Sequence, residues 1–159
     1  MAHALSDREL AVSRLIEGRR ETVFQVFTEV SHLSQWWGPT GFTTTTRTFE
    51  FSEGGVWEFT MHAPDGTDYP EWIKWIDIRP PELIVLVHGE RPDDPERFTT
   101  TIEFDERQGG TQVTLRTEFQ TKALRDKAVE QFGALEGGEQ TLSSLARYVA
   151  TRKKKLPDE

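Results

Sequence analysis

The sequence predicts a single α+β domain, in which a strongly curved antiparallel sheet of six to seven strands wraps around a long C-terminal helix. Short segments between residues 9 and 119 alternate apolar with polar side chains, which is typical of half-buried strands. Helical spacing marks two short segments after the first strand, and then a segment of about thirty residues from Thr121. Because a single sheet must bury one face, we expect the long helix to cover it.

The first part of the chain predicts one strand and two short helices. Residues 9–17 are rich in Val, Leu and Ile and predict the first strand, which Gly18 ends. Two segments of helical spacing follow, and Ser31 is expected to cap the second of them before Gly38 and Pro39 end it. The apolar positions of these two segments are Val23, Phe24, Phe27, Val30, Leu33, Trp36 and Trp37.

The middle of the chain predicts an antiparallel meander. Its strand-like segments are separated by turn residues such as Pro64, Asp65 and Gly66, where proline presets φ and glycine accepts a positive φ. Short strands at this regular spacing favour antiparallel neighbours. The predicted strands are residues 43–51, 57–62, 69–78, 83–88, 98–104 and 112–119.

The last predicted element is the long helix, with Thr121 as its N-cap. Three glycines, Gly133, Gly137 and Gly138, interrupt its apolar stripe. Each costs about 1 kcal/mol relative to alanine inside a helix, so they indicate a packing or functional reason. The stripe consists of Leu124, Ala128, Phe132, Leu135, Leu142, Leu145 and Val149.

Composition limits the classes of function. The 159 residues fit one domain, which we assign to residues 8–152, with residues 1–7 and 153–159 as flexible tails. No cysteine is present, which excludes disulfides and thiol nucleophiles, and the net charge of −8 argues against nucleic acid as a partner. No apolar run is long enough to span a membrane, and no signal-peptide pattern occurs, so we expect a cytoplasmic protein without membrane contact.

Several motifs carry a resemblance to a known family. They are Leu33–Pro39, Gly55–Phe59, Pro64–Gly66, Pro80–Glu82 and Phe132–Leu142. Together with the order of elements, they resemble the START-like, birch-pollen-allergen-like superfamily, which includes polyketide-cyclase-like proteins. Within it, the chain is similar to the group named for the activator of the heat-shock protein 90 ATPase. The resemblance spans roughly residues 8–152.

The resemblance implies a helix-grip fold, in which the sheet holds the long helix around a cavity. Members are mostly small-molecule binders, with some cyclases and some chaperone-linked proteins. The resemblance therefore implies the fold strongly and any particular function weakly. Many members carry a tryptophan near the position of Gly138. The glycine found here therefore implies a larger cavity or a backbone exposed to a ligand.

The inner face of the predicted sheet and the helix supply a candidate ligand-binding set. A curved sheet and a straight helix meet at their ends and separate between them, which favours a pocket walled by rings. Each ring also fits an ordinary filled core, so this alternative stays open at every position. The candidate ligand-binding residues are Trp36, Trp57, Phe59, Met61, Leu86, His88, Phe98, Phe132, Leu135, Gly138 and Glu139.

Three functions are compatible with this set. The first is a non-catalytic protein that binds a small apolar or aromatic molecule. The second is an enzyme of the cyclase or hydrolase kind, with His88 and a helix glutamate such as Glu139 as acid and base. The third is an interaction domain that modulates a chaperone ATPase. We expect no cofactor and no metal, because no phosphate loop or metal-ligand spacing occurs, and either a monomer or a homodimer.

Overall fold

The computed structural model describes residues 6–155. It contains a seven-stranded antiparallel sheet in the order β1-β7-β6-β5-β4-β3-β2, which is curved and does not close. The strands are β1 (Glu9–Ile16), β2 (Thr43–Phe49), β3 (Val56–His62), β4 (Asp68–Arg79), β5 (Leu83–Gly89), β6 (Phe98–Arg107) and β7 (Gly110–Glu118). The helices are α1 (Arg20–Gln25), α2 (Val30–Trp36), α3 (Lys122–Phe132) and α4 (Ala134–Lys155).

The predicted fold class is confirmed, including the meander and the two short helices after β1. Every neighbouring pair of strands is antiparallel, because the chain returns through short turns from β2 to β7. The first strand crosses to the far edge and pairs with β7. Helix α4 lies against β1, and α2 packs against both α4 and β2.

Two local predictions at helix ends were wrong. Ser31 lies inside α2, and the N-cap is Glu29, whose carbonyl accepts from the N–H groups of His32 and Leu33. The long C-terminal helix is divided in two by Gly133, which has a φ of 61° and a ψ of 42°. Glycine adopts this left-handed conformation without a Cβ penalty, so it ends α3 instead of continuing the helix. The predicted N-cap Thr121 is confirmed, since its Oγ1 accepts from the N–H of Leu124 at 3.1 Å.

The core fills one end of the molecule. Leu142, Leu145 and Val149 of α4 are at most 1% exposed. They pack with buried residues of α1, α2 and the sheet in one cluster, which includes Trp57 and Trp75. This packed end fixes the second half of α4 on the sheet, so the first half of α4 is held over the sheet's other end.

The predicted C-terminal tail begins inside helix α4, which continues to Lys155. Residues 1–5 and 156–159 of the two predicted tails lie outside the described residues. Within residues 6–155, none of the helices is both long and apolar enough to cross a membrane.

Candidate functional site

A cavity of about 580 Å³ lies at the end of the molecule opposite the packed core. The first turns of α4 form one side, and six of the seven strands form the other. Helix α3 and the segment between α2 and β2 border its opening. Gly137 and Gly138, which carry no side chain, lie in the part of α4 that lines the cavity.

Aromatic side chains form much of the cavity wall. The rings of Phe98 and Phe119 are 5.3 Å apart, and those of Phe42 and Tyr69 are 6.2 Å apart. Both spacings are those of favourable aromatic pairs. Trp37 and Phe132 also line the cavity, and Phe132 is 71% exposed. A mainly apolar wall with a few polar groups is the usual composition of a small-molecule site.

Two ionisable side chains meet on this wall, Glu71 of β4 and His88 of β5. The strand register places Ile73 opposite His88, so Glu71 is the diagonal neighbour on the same face. The Nε2 atom of His88 lies 2.5 Å from a carboxylate oxygen of Glu71. The His88 side chain is 16% exposed and the Glu71 side chain 19% exposed, so the pair is largely enclosed. In this contact the Nε2–H of His88 donates and the carboxylate of Glu71 accepts.

The imidazole of His88 is also held by rings. Its centroid is 4.9 Å from that of Phe98 and 6.4 Å from that of Phe59. Because one side of the ring packs on aromatic carbon and its Nε2 is paired with Glu71, the orientation of His88 is set by the sheet itself.

The loop between β5 and β6 adds carboxylates at one edge of the cavity, from Glu90, Asp94 and Glu96. Partial burial opposes the ionisation of Asp94, but its carboxylate accepts from the backbone N–H groups of Glu90 and Glu96 at 2.9 and 2.8 Å. These hydrogen bonds, together with the charges of Arg91 and Arg97, outweigh burial and lower the pKa of Asp94 below its ordinary value. Asp94 is therefore ionised at neutral pH.

Helix α3 covers the opening and has no buried side chain of its own. Leu124, Ala128 and Phe132 face the cavity from this helix. Lys127 binds a carboxylate oxygen of Glu96 at 3.1 Å, which joins the helix to the β5–β6 loop. The amide of Gln120 donates to the carbonyls of residues 95 and 97, which joins the start of the helix to the same loop.

The structure divides the candidate residues into three groups. Glu139 lies on the exposed side of α4 and does not line the cavity. Trp36, Trp57, Phe59 and Leu86 are at most 4% exposed and belong to the core cluster. The candidates that line the cavity are Met61, His88, Phe98, Phe132, Leu135 and Gly138.

Glu71 and, apart from Phe132, the cavity-lining residues of α3 were missed at the sequence level. Glu71 shares the period-two phase of Ile73 and Trp75, which are buried on the inner face, so alternation carried a signal for its position. The phase alone could not tell which face of β4 is inside. The lining role of α3 was missed because the two C-terminal helices were predicted as one.

A second concavity, of about 690 Å³, lies on the surface between the start of α1 and the β6–β7 turn. It is bordered by Arg19, Arg20 and Arg107 together with Glu21 and Glu106. It is an open polar groove without aromatic residues, unlike the cavity under α4. Nowhere in residues 6–155 do three or more His, Asp or Glu side chains converge as metal ligands would.

The geometry defines a class of protein: a helix-grip domain, in which a curved sheet holds a long helix with a cavity at one end. The model of one family, described as activator of Hsp90 ATPase homolog 1-like protein, matches residues 18–150. The chain belongs to this family, and the resemblance drawn from its motifs is confirmed. Among curated proteins, no relative was found.

Solved structures share the fold. A protein from Nitrosomonas europaea is 22% identical, with a TM-score of 0.84, over 95% of this chain and 99% of that one. A protein from Mycobacterium smegmatis is 19% identical, with a TM-score of 0.83, over 95% and 96% of the two chains. The AHSA1 protein from Silicibacter pomeroyi is 20% identical, with a TM-score of 0.74, over 91% and 99%. At these identities the likeness concerns the fold alone.

Proposed function

We propose that the protein binds a small apolar or aromatic molecule in the cavity between the sheet and α4. The observation that carries this proposal is the cavity itself, whose volume of about 580 Å³ is in the range of small-molecule sites. Its wall combines aromatic and aliphatic side chains with one enclosed polar pair, Glu71 and His88. Such a wall gains affinity from apolar burial and specificity from the few polar groups.

The first test is native mass spectrometry of the purified protein, followed by a thermal-shift screen of aromatic and lipid-like compounds. A ligand that binds only the folded state raises the melting temperature, and the rise grows with ligand concentration. The proposal expects a co-purified mass or such a concentration-dependent rise. An empty protein that no compound stabilises would contradict it, and would favour a surface role such as modulation of a chaperone ATPase.

A matched pair of variants locates the binding site. Ala128→Trp places an indole on the cavity side of α3, a helix without buried side chains, so the fold is expected to survive. Glu130→Trp places the same ring at an exposed position of the same helix, outside the cavity lining. The proposal expects the thermal shift to disappear in the first variant and to persist in the second. Equal shifts in both would place the ligand elsewhere.

A second candidate function is acid–base catalysis on a molecule held in the same cavity. The enclosed contact between His88 and Glu71 favours it, because a carboxylate that orients an imidazole is a common support for a general base. In this alternative Glu71 replaces Glu139 as the partner of His88. The test is mass spectrometry of each stabilising compound after incubation with the protein. Recovery of a changed compound in excess over the protein supports catalysis, and recovery of the unchanged compound supports binding alone.

A further inference from the structure

We propose that the ligand carries a basic amine and that Glu71 binds its ammonium group inside the cavity. The inference rests on the proposed function and names the chemical class of the ligand. It starts from the carboxylate of Glu71, which lies in a mainly apolar wall and whose side chain is 19% exposed. A carboxylate in such surroundings is costly unless positive or hydrogen-bond-donating groups face it.

Glu71 retains unused acceptor capacity. A carboxylate offers about four acceptor positions on two oxygens. Among residues 6–155, its hydrogen-bond partner is the Nε2 of His88, which contacts one of the two oxygens. The second oxygen of Glu71 accepts no hydrogen bond from residues 6–155. Because Glu71 lines the cavity, a ligand group that complements this oxygen is a donor.

The charges around the cavity leave Glu71 without a Lys or Arg partner among the described residues. Three other carboxylates line the cavity, from Glu90, Asp94 and Glu96. Glu96 binds Lys127, and Glu90 lies 3.9 Å from Arg91. The charges of Arg91 and Arg97 also act on Asp94. A carboxylate between apolar walls focuses its field on the contents of a cleft. Such a cavity attracts an ammonium group and repels the carboxylate of a fatty acid.

Two aromatic rings, Tyr69 and Phe98, favour a cation on the same wall as Glu71. Tyr69 stands two residues before Glu71 on the same face of β4, and Phe98 packs on His88 at 4.9 Å between centroids. Both rings line the cavity. Aromatic faces attract ammonium groups, most strongly where water is excluded. Carboxylate and rings together therefore favour an amine attached to an apolar or aromatic body.

The test compares three probes with one naphthalene body: naphthylethylamine, naphthylethanol and naphthylacetate. Isothermal titration calorimetry with the wild-type protein is expected to give the tightest dissociation constant for the amine. Because hydrogen bonds to charged groups are worth about 1.5–3 kcal/mol, the amine should bind about tenfold or more tightly than the alcohol. The acid should bind more weakly than the alcohol. An alcohol or acid that binds as tightly as the amine would overturn the inference and leave the proposed function standing.

A charge-neutral variant assigns the preference to Glu71. Glu71→Gln keeps the shape and a hydrogen-bond acceptor for His88 but removes the charge, so the amine should lose about tenfold in affinity. The affinity for the alcohol should change by less than about threefold. The control variant Glu139→Gln removes an exposed charge outside the cavity, so it should change the affinity for neither probe. An equal loss of amine affinity in Glu71→Gln and Glu139→Gln would overturn the inference. If none of the probes binds the wild type, the proposed function fails with it. The comparison of the three probes uses only the wild-type protein, so it does not depend on the folding of any variant.

Discussion

At the scale of single residues, the adjacent glycines of α4 have different surroundings. A methyl group added at Gly138 would lie 3.0 Å from a methyl carbon of Val12 on β1. A methyl group at Gly137 would meet Pro39 at 3.9 Å, which is an ordinary contact. Gly138 thus lets α4 approach β1 closely, whereas Gly137 borders free space. A tryptophan at position 138 would press on β1 before it could fill the cavity.

This difference predicts opposite trends for two alanine variants. Gly137→Ala should raise the free energy of unfolding by about 0.5–1 kcal/mol, because alanine is the better helix former and its methyl group meets no close contact. Gly138→Ala gains the same propensity but crowds Val12, and overpacking costs about 1–3 kcal/mol. Urea unfolding should therefore rank Gly138→Ala below Gly137→Ala by about 1–3 kcal/mol, which is the cost of overpacking. Equal stabilities would mean that β1 yields to the new methyl group freely.

The residues of the site were only partly predictable from the sequence, because alternation within a strand does not reveal contacts between strands. Hydrophobic alternation placed His88, Met61 and Phe98 on the inner face, because every second residue of a strand points to the same face of the sheet. It gave no information on what lies across the sheet. The pairing of His88 with Glu71 depends on strand register, which joins positions 17 residues apart. Long-range register of this kind is set by packing of the whole sheet.

At the scale of elements, the break between α3 and α4 shapes the site. Gly133 adopts a left-handed conformation, and its N–H bonds to the carbonyl of Ala128. The chain therefore changes direction there, and α3 lies over the cavity opening instead of extending the line of α4. Because α3 buries no side chain, its position depends on this turn and on the contacts with the β5–β6 loop.

The turn predicts a conformational cost for any residue other than glycine at position 133. A methyl group there would meet one atom within ordinary contact distance, Glu136 at 3.8 Å, so space is not the obstacle. A left-handed backbone costs a residue with a Cβ about 1–2 kcal/mol. Gly133→Ala should lower the free energy of unfolding by about 1 kcal/mol in urea. Gly133→Asn should cost less, because asparagine tolerates this conformation. A Gly133→Ala protein as stable as the wild type would argue against the left-handed turn.

Elements were predicted well where their pattern is local. The seven strands follow alternation and turn residues, and those signals act within a few neighbouring positions. The single long helix was predicted because the apolar stripe continues across Gly133 with helical spacing. A glycine is compatible with a helix interior and with a helix end, and only the tertiary position of α3 decides between them.

At the scale of the whole molecule, the packed core and the cavity lie at opposite ends. The second half of α4 is packed into the core, where Leu145 is 0% exposed. The first turns of the same helix line the cavity, where Leu135 is 36% exposed. One helix therefore anchors the fold with one half and forms the site with the other. Close packing is concentrated at one end, and the cavity lies at the other.

This division predicts separate effects for two leucine variants of α4. Leu145→Ala removes a fully buried side chain and should lower the free energy of unfolding by about 2–5 kcal/mol. Leu135→Ala removes a half-exposed side chain from the cavity wall and should cost less than about 1 kcal/mol. Urea unfolding measures both values, and calorimetry with naphthylethanol measures binding.

The binding measurement should reverse the order of the two variants. Leu135→Ala removes apolar contact with the ligand and should weaken the binding of naphthylethanol severalfold, since each buried CH₂ contributes about 0.8 kcal/mol. Leu145→Ala, measured at a temperature where it remains folded, should bind like the wild type, because its side chain does not line the cavity. Weaker binding in Leu145→Ala alone would show that the two ends of α4 are coupled, and that the packed core holds the cavity in its binding shape.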